Sequence, residues 1–410
     1  MKKIVVIGGG AAGIFAALYA RKLGAEVVLI EKMNRLGRKL LITGKGRCNI
    51  TNAGELPEII SAFGRNGRFL HSSLHAFTNT DVMKFFEQLG VPVKVERGAR
   101  VFPVSDKAQD VVNALEKELK KAGVEIILNS AVTDVSKQKD TYLVTHGEKR
   151  LLQAHAVIIT TGGASYPGTG STGDGYKFAE KMGHAIVPLR PSLVPVETVE
   201  EWPKDLMGIT LKNVELTAFA NGKKVASEFG EMIFTHFGVS GPLVLSISKE
   251  VTPLKGKKIT FTINLKPALN DEKLNARILR DFEKYSNKDA KNGMVDLLPQ
   301  KLIPIVLTQA NIHEEKKVHS ITREERLRLV EALHSLPLTL KTFRPLTEAI
   351  VTAGGVKLAE VDPKTMQSKL MPNLYFAGEV LDLDAVTGGY NLQAAFSTGY
   401  VAGNSCVDEN

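Results

Sequence analysis

The amino-acid sequence predicts an α/β protein whose parallel sheet is interrupted by an inserted antiparallel, barrel-like β domain, which itself carries a small helical insert. Short apolar strands alternate with amphipathic helices up to about residue 190, a pattern typical of a parallel sheet. Prolines and a hairpin pattern follow, and residues 269–336 then show apolar positions at helical spacing. Strand and glycine patterns return from residue 346, so we expect the tail to rejoin the first domain.

These changes of pattern predict five segments. In chain order they are the first part of the α/β domain (1–190), the first part of the β domain (191–268), the helical insert (269–336), a return strand of the β domain (337–345) and the second part of the α/β domain (346–410).

The composition is that of an ordinary globular protein. The chain has 410 residues, 43% of them hydrophobic and 24% charged, and this length allows two or three domains. Its net charge of +9 fits either an anionic partner or a merely basic surface. Two cysteines are too few for a disulfide scaffold, and no apolar run approaches the roughly 18 residues of a membrane span. We therefore expect a cytoplasmic protein with no membrane partner.

The elements of the first domain follow from local patterns. It opens with a βαβ unit: a β-branched run at Lys3–Ile7, an amphipathic helix over residues 11–23 and a buried-strand pattern at Glu26–Ile30. A long Gly- and Arg-rich loop is expected up to about residue 52. Further helices are predicted at residues 81–89 and 107–121, with strands at 124–128 and 156–161.

The inserted segment shows different turn and strand patterns. Residues 214–220 and 223–227 flank Asn221-Gly222, which is typical of a hairpin with a type I′ turn, and residues 258–265 predict another strand. In the helical insert, Leu274, Ile278 and Phe282 recur every four residues. Thr322 and Glu325 have the spacing of a capping box.

The turn after the first strand predicts a dinucleotide site. Residues 8–13 read GGGAAG, which satisfies G-x-G-x-x-G between a strand and a helix. Gly8 permits the tight turn, Gly10 lets the backbone approach a pyrophosphate, and Gly13 lets the helix pack on the strand. The amides that open the helix, at Ala11 and Ala12 among others, favour phosphate binding. The first domain is therefore predicted to be Rossmann-like.

An acidic residue completes this motif. Glu31 ends the second strand, 18 residues beyond Gly13, where a carboxylate accepts hydrogen bonds from an adenosine ribose. A second glycine repeat, Gly168, Gly170 and Gly173, fails the same test because several loop residues separate it from a strand. The sequence therefore predicts one dinucleotide fold.

The C-terminal segment indicates which dinucleotide is bound. A short strand precedes Gly378 and Glu379, and residues 387–393, read TGGYNLQ, open a helix. This arrangement resembles flavoproteins of the glutathione-reductase-like FAD superfamily. The resemblance implies that Glu379 lies near the ribityl chain or pyrophosphate and that the amides of Asn391 and Leu392 lie near the flavin ring, where a helix N-terminus favours the negative charge of reduced flavin. Residues 160–163, TTGG, resemble a second internal motif of that superfamily.

A closer resemblance covers essentially the whole chain. Residues 37–52, read GRKLLITGKGRCNITN, resemble a bacterial flavoprotein family that includes aminoacetone oxidase and a 3-dehydro-bile acid reductase, as do residues 165–167, 170–175, 234–242 and 378–382. It implies a Rossmann-like FAD-binding domain split by a β-barrel-like domain that carries a helical insert. The substrate is not decided by this resemblance.

The loop after Glu31 has a charge pattern of its own. No acidic residue occurs between Glu31 and Glu55, whereas six cations do, and glycines in the loop let its backbone approach a ligand. A solvated basic loop is the alternative. From the motifs and resemblances together, the expected cofactor-binding residues are Gly8, Gly10, Ala11, Ala12, Gly13, Glu31, Lys32, Gly37, Arg38, Lys39, Gly44, Arg47, Cys48, Asn49, Thr161, Gly162, Gly378, Glu379, Gly389, Asn391 and Leu392.

Few side chains are candidates for catalysis. Cys48 has no resolving cysteine nearby, which argues against a disulfide reductase and leaves a peroxidase-like thiol or a small packed residue. His236, in a glycine-rich loop, is the best general acid or base, and Tyr390 can cover the flavin or line the substrate pocket. For both, a structural role is the alternative. No metal site is expected, because the histidines lack ligand spacing.

These observations favour an FAD-dependent oxidoreductase acting on a small organic substrate, with hydride transfer through flavin N5. Reoxidation by oxygen would make it an amine oxidase-like enzyme, and use of NAD(P)H as a transient electron donor would make it a reductase. The alternative is a flavin-dependent protein that modifies or binds nucleic acid. The low aromatic content, 6%, and the basic run beside the cofactor motif argue against that partner. The sequence does not indicate the oligomeric state.

Overall fold

The computed structural model describes residues 1–254 and 256–407. The elements up to residue 192 are β1 (Lys3–Ile7), α1 (Ala11–Lys22), β2 (Glu26–Ile30), α2 (Arg38–Ile42), β3 (Thr51–Asn52), α3 (Leu56–Ser61), α4 (His71–Ala76), α5 (Asn79–Gln88), β4 (Val93–Glu96), β5 (Arg100–Pro103), α6 (Ala108–Ala122), β6 (Glu125–Ile127), β7 (Val132–Gln138), β8 (Thr141–His146), β9 (Arg150–Ala154), β10 (Ala156–Ile159), α7 (Asp174–Lys181) and β11 (Ile186–Ser192).

The middle of the chain contributes β12 (Val196–Thr198), α8 (Trp202–Asp205), β13 (Thr210–Ala220), β14 (Lys223–Thr235), β15 (Gly238–Ser240), α9 (Pro242–Val251), β16 (Ile259–Asn264), α10 (Asp271–Lys284), α11 (Ala290–Gly293), α12 (Ile303–Gln309), α13 (Arg323–His334) and β17 (Leu336–Phe343). The tail adds β18 (Val351–Val356), β19 (Leu374–Phe376) and α14 (Tyr390–Ser405).

The chain divides into two compact units. Unit 1 consists of Met1–Pro191 and Ala349–Asn410, and unit 2 of Ser192–Glu348. Unit 1 is built on a parallel sheet of order β19-β10-β1-β2-β6, which confirms the predicted α/β class and the return of the tail to the first domain. The carboxyl ends of its strands lead into residues 8–13, 31, 160–163 and 378–379, so the motif residues meet at one edge.

Helices α1 and α14 of unit 1 pack closely against each other, and their contacts set the relative position of their N-termini. A Cβ at Gly399 would lie 2.3 Å from the carbonyl oxygen of Ala12, and one at Gly403 2.4 Å from that of Ala16. Only glycine allows this approach, and the matching order of the contacts makes α14 parallel to α1. Helix α14 begins at Tyr390, and Gly399 is the residue of this helix that lies at the level of Ala12. At 1.5 Å per residue, the N-terminus of α14 therefore lies about 14 Å from that level, measured along the helix axis.

Unit 2 combines the predicted barrel and the helical insert. Six strands close into a barrel of order β12-β15-β14-β13-β16-β17. The β13–β14 hairpin turns at Asn221 and Gly222, whose φ angles of 49° and 80° confirm the predicted type I′ turn. Helices α10 to α13 follow β16, with Leu274, Ile278 and Phe282 buried and the Thr322–Glu325 capping box formed.

One expectation about unit 1 was wrong, and one sheet was not predicted. The long loop up to residue 52 contains helix α2 and strand β3, which pairs with β5 in a small antiparallel sheet of order β3-β5-β4. The sheet that was not predicted is antiparallel, of order β7-β8-β9, and its strands come between β6 and β10 in the chain. In β8 every second residue is buried, namely Tyr142, Val144 and His146, whereas in β7 only Val135 is buried, so the alternation in the sequence is weak.

No helix among the described residues has both the length and the apolar character needed to cross a membrane.

Candidate functional site

The glycine turn between β1 and α1 leaves room where a ligand phosphate would lie. A Cβ at Gly13 would stand 1.9 Å from the carbonyl oxygen of Gly8, so glycine is required there by packing. At Gly10 a Cβ would meet no protein atom within 4 Å, and its φ of −82° suits any residue. The first bond of α1 runs from Ile14 N to Gly10 O, so the amides of the first turn have no acceptor in the helix. The turn therefore fits a pyrophosphate.

Glu31 is held in place beside this turn. Its Oε2 accepts a hydrogen bond from Gly9 N at 2.7 Å and its Oε1 one from Met33 N at 2.8 Å. A carboxylate has about four acceptor positions, so both oxygens can still accept from ribose hydroxyls. The ammonium of Lys32 is bonded to Asp174 Oδ2, 2.6 Å away, and to the Thr172 hydroxyl.

The second glycine repeat lies against the same carboxylate. A Cβ at Gly170 would be 3.6 Å from Glu31 Oε1 and 3.5 Å from Lys32 Cε. The repeat follows no strand, because β10 ends at Ile159 and Pro167–Thr169 form a 3-10 turn. The repeat therefore lacks the preceding strand of a dinucleotide turn, and its loop lies beside Glu31.

The structure brings Lys39 and Glu379 together from positions 340 residues apart. Lys39 Nζ lies 2.7 Å from Glu379 Oε2 and donates to Ser165 Oγ at 2.7 Å. Glu379 Oε1 accepts from the backbone amide of Thr352 at 2.8 Å. Ser165 and Thr352 were not among the expected site residues, and the only sequence signal was the family likeness of residues 165–167. This network ties the basic loop to the Gly-Glu segment.

The other cations of the loop differ in their surroundings. Arg38, at the start of α2, is half-buried and has no ion-pair partner in the part of the chain that the structure describes. Arg47 instead lies 2.9 Å from Glu96 and 3.3 Å from Asp106, with its guanidinium 3.9 Å from the centroid of Phe102. Arg38 therefore has a positive charge free for a ligand phosphate, whereas that of Arg47 is already compensated.

The glycines of the loop have a packing reason to be glycine. A Cβ at Gly37 would meet the Val112 side chain at 3.0 Å, and one at Gly44 would meet Phe102 at 3.0 Å. Both residues have positive φ angles. Their place near a ligand remains a prediction.

Cys48 and Asn49 follow these glycines. Cys48 is fully buried, and this burial raises the pKa of its thiol to about 12. The thiol therefore stays protonated at neutral pH, which argues against the peroxidase-like alternative. With its amide oriented to donate to the carbonyls of Thr51 and Val101, Asn49 accepts a hydrogen bond from Gly389 N at 2.9 Å.

Helix α14 presents its N-terminus beside this loop. A Cβ at Gly389 would lie 2.3 Å from the carbonyl oxygen of Thr51, so only glycine fits. The Asn391 side chain is paired with the backbone of Ala385, donating to its oxygen and accepting from its nitrogen. Since the first bond of α14 is Gln393 N to Gly389 O, the amides of Asn391 and Leu392 have no acceptor in the helix.

Two further observations test the fit of a dinucleotide. The Thr161 hydroxyl is buried without a hydrogen-bond partner within the described residues, which is unusual for a native protein. A Cβ at Gly378 would lie 2.8 Å from the Ala12 side chain, so the Gly-Glu segment packs directly on α1, and Gly162 adopts a positive φ of 73° beside Ser171. These features suit an extended dinucleotide. They are the open turn at Gly10, the unpartnered Thr161 hydroxyl, and the free N-termini of α1 and α14, which lie about 14 Å apart along parallel axes.

The two candidate catalytic residues belong to different units. Tyr390, at the start of α14 in unit 1, is half-buried, and burial raises the pKa of its phenol. His236 lies in the turn between β14 and β15 of unit 2, with its ring 4.9 Å from that of Phe237. Their catalytic roles remain predictions. Within residues 1–254 and 256–407, no three acidic, histidine or cysteine side chains are grouped so as to hold a metal ion.

Comparison with known proteins identifies relatives along the whole length. The chain is 31% identical to a 3-dehydro-bile acid delta(4,6)-reductase of Clostridium scindens, covering 100% of both chains. It is 34% identical to a ribosomal RNA dihydrouridine synthase of Haemophilus influenzae, covering 97% of this chain and 96% of that one.

Solved structures share the fold at lower identity. A flavocytochrome c3 fumarate reductase matches 99% of this chain and 78% of its own with a TM-score of 0.53 and 18% identity. A 3-ketosteroid delta1-dehydrogenase from Sterolibacterium denitrificans matches 99% and 100% with a TM-score of 0.51 and 11% identity. The family model described as the HI0933-like protein Rossmann domain matches residues 2–405. The chain therefore belongs to the HI0933-like family, and it is an FAD-dependent oxidoreductase.

Proposed function

We propose that the protein is a reductase that saturates a carbon–carbon double bond conjugated with a carbonyl group. The observation that carries this proposal is the match, along essentially the whole chain, to two kinds of reductase with different substrates. A 3-oxo-4,6-diene steroid and a uracil ring both contain a double bond conjugated with a carbonyl. These relatives therefore support a substrate of this class for the present chain, and not one particular molecule.

The state of the cysteines supports direct transfer between cofactor and substrate. Cys48 and Cys406 are both buried, and they are the only cysteines of the chain. The raised pKa of Cys48 keeps its thiol unreactive, so a dithiol relay has no suitable members. When bound, FAD supplies the hydride of such a reduction.

The protein's part is to stabilise charge and to deliver a proton. The free amides of Asn391 and Leu392 and the helix dipole of α14 favour negative charge at the flavin end of the site. Arg38, which has no ion-pair partner among the described residues, is available to a phosphate of the cofactor. The start of α14 therefore favours the reduced form of the cofactor, whereas Arg38 favours its binding.

Reduction of the double bond adds a hydride to the carbon β to the carbonyl and a proton to the carbon α. Tyr390 is the proton donor that we favour in unit 1, because it opens α14 directly before Asn391 and Leu392, the residues expected near the flavin ring. His236 is the alternative donor, in unit 2.

An amine oxidase-like activity is the rival within the same family. It runs electrons in the opposite direction, from substrate to flavin to oxygen, and it does not need NAD(P)H. The proposed reductase instead uses NAD(P)H as a transient donor.

The test uses the purified holoenzyme with NADPH or NADH in the absence of oxygen. A 3-oxo-4,6-diene steroid and a uridine-containing RNA are supplied separately, and the products are analysed by mass spectrometry. We expect at least one of them to gain two hydrogen atoms. If neither gains mass while aminoacetone is oxidised in air, the proposal is wrong and the oxidase alternative is supported.

A further inference from the structure

An exposed row of basic side chains lies on unit 1 outside the cofactor motifs. Residues 64–70 form a 3-10 helix that runs directly into α4, and Arg65, Arg68, His71 and His75 are all exposed along it. Their spacing of three, three and four places them on one face of this continuous helical segment. We call these four residues the basic ridge. It extends over roughly 18 Å at the usual rise of the two helix types.

Among the described residues no carboxylate forms an ion pair with a ridge residue, although Asp382 Oδ2 accepts a hydrogen bond at 3.2 Å from Asn66, which lies between Arg65 and Arg68. No aspartate or glutamate occurs between Glu58 and Asp81. Elsewhere on the surface, by contrast, cations such as Lys181 and Lys204 lie against carboxylates. The ridge therefore offers unpaired guanidinium groups to solvent, a feature that favours polyanion binding.

The two histidines add flat surface to this charge. Their rings stack with centroids 4.2 Å apart and planes inclined by 26°. His75 Nδ1 is hydrogen-bonded to the carbonyl oxygen of His71 at 2.7 Å, which fixes the second ring. Exposed rings of this kind are platforms on which nucleic-acid bases stack.

The opposite face of the segment is fixed to the part of unit 1 that carries the candidate flavin site. Asn66 Nδ2 donates to the carbonyl oxygen of Asp382 at 2.7 Å, three residues beyond Glu379. The carbonyl oxygen of Phe77, just after α4, accepts from Gln393 in the first turns of α14. The ridge is therefore attached to both motifs of the C-terminal segment, the Gly-Glu turn and the start of α14.

We propose that the basic ridge binds the phosphate backbone of an RNA substrate, with a base stacked on the histidine rings. This inference rests on the proposed function and selects, among conjugated substrates, a uridine within RNA. A small steroid has no anionic groups that would need a row of cations, whereas on the order of five nucleotides span the ridge at about 3.4 Å each. Arginine suits this role because its planar guanidinium pairs with phosphate through two hydrogen bonds.

Binding is measured on the FAD-loaded protein, separately from turnover. The probe is a fluorescein-labelled single-stranded uridine 12-mer, followed by anisotropy at several salt concentrations. Arg65→Gln with Arg68→Gln removes two ridge charges. Lys223→Gln with Lys224→Gln is the matched control, because these exposed lysines lie at the hairpin tip of unit 2.

The expected result is specific to the ridge. The double arginine variant should bind at least tenfold more weakly, and its slope of log K against log salt should fall by about 1.4, or roughly 0.7 for each lost phosphate contact with a single strand. His71→Ala with His75→Ala should weaken binding about tenfold through lost stacking, with a smaller change of slope. The lysine control should change the affinity less than threefold. FAD content and circular dichroism should be unchanged in all variants.

Two results would overturn the inference. One is wild-type RNA affinity and salt slope in the arginine variant, and the other is an equal loss in the lysine control, which would mean non-specific attraction. The proposed function is tested independently by reduction of the steroid diene without RNA. If that reduction occurs but the ridge does not bind RNA, only the present inference is wrong, whereas ridge-dependent binding by a protein that reduces neither substrate would contradict the reductase proposal alone.

Discussion

Substitution of Gly10 by valine should abolish FAD binding while leaving the fold intact. A Cβ at this position meets no protein atom within 4 Å, and the backbone is extended with φ −82°, so the backbone there suits valine. The same space is where a pyrophosphate would accept hydrogen bonds from the first turn of α1. The new methyl groups would occupy that space and keep the phosphates away from the amides.

The expected size of the effect can be worked from these contacts. Loss of two charge-assisted hydrogen bonds costs about 3 to 6 kcal/mol, which weakens binding by roughly 10²- to 10⁴-fold. The apoprotein should lose only about 1 kcal/mol, because valine is a poorer N-cap than glycine. A wild-type protein at 100 times its Kd gains about 2.7 kcal/mol from the ligand, and a variant 100-fold weaker gains only about 0.4 kcal/mol.

The assay combines cofactor content with unfolding measured with and without added FAD. Gly230→Val, on strand β14 of unit 2, is the matched control, because a Cβ at Gly230 makes an ordinary contact with Leu243 at 3.6 Å. Gly13→Val should instead prevent folding, since its Cβ would stand 1.9 Å from the carbonyl oxygen of Gly8. A folded Gly10→Val protein that purifies with a full complement of FAD would refute the placement of the pyrophosphate.

Three further predictions concern single side chains. Cys48→Ser should retain turnover within about twofold, because the buried thiol packs in the core, and its pKa, raised to about 12, makes it resist alkylation at pH 8. Loss of activity with FAD still bound would instead support the redox role. Tyr390→Phe should lower single-turnover reduction by roughly 10²- to 10⁴-fold at unchanged FAD content, and an unaltered rate would leave His236 as the proton donor. Burial lowers the pKa of His184 in the folded protein, so the contribution of this residue to the free energy of unfolding is complete above about pH 6.5. As the pH falls, this contribution is lost by up to about 1.4 kcal/mol per pH unit. His184→Gln should therefore flatten the fall in urea midpoint between pH 7.5 and 5.5, and an equally steep fall would contradict this origin.

Local patterns in the sequence predicted the parts of the fold that local physics controls. The strand Lys3–Ile7, the glycine turn after it and the helix that follows are neighbours in the chain, and each requirement is expressed within a few residues. The hairpin at Asn221 and Gly222 was predictable for the same reason. Its turn needs two consecutive positive φ angles, which this pair adopts readily.

Contacts between distant segments could not be derived in this way. The Lys39–Glu379 pair joins segments 340 residues apart, and nothing in either segment specifies its partner. Thr352 was missed because its contact with Glu379 is made by its backbone amide, which every residue has, and its hydroxyl accepts from the amides of distant residues, Ala164 and Ser165. The environment of Arg47 was also hidden, since it depends on the pairing of β4 and β5 that brings Glu96 close.

Direction of electron flow tests the central claim most directly. The holoenzyme is reduced anaerobically, excess donor is removed, and a 3-oxo-4,6-diene steroid or a uridine-containing RNA is added while the visible absorbance of oxidised flavin is recorded. If the protein is the proposed reductase, this absorbance returns without oxygen, with one flavin reoxidised for each double bond saturated, and a saturated analogue leaves the absorbance unchanged. Flavin that stays reduced with both substrates, but is reoxidised when air is admitted and reduced again by aminoacetone, would contradict the proposed reductase activity.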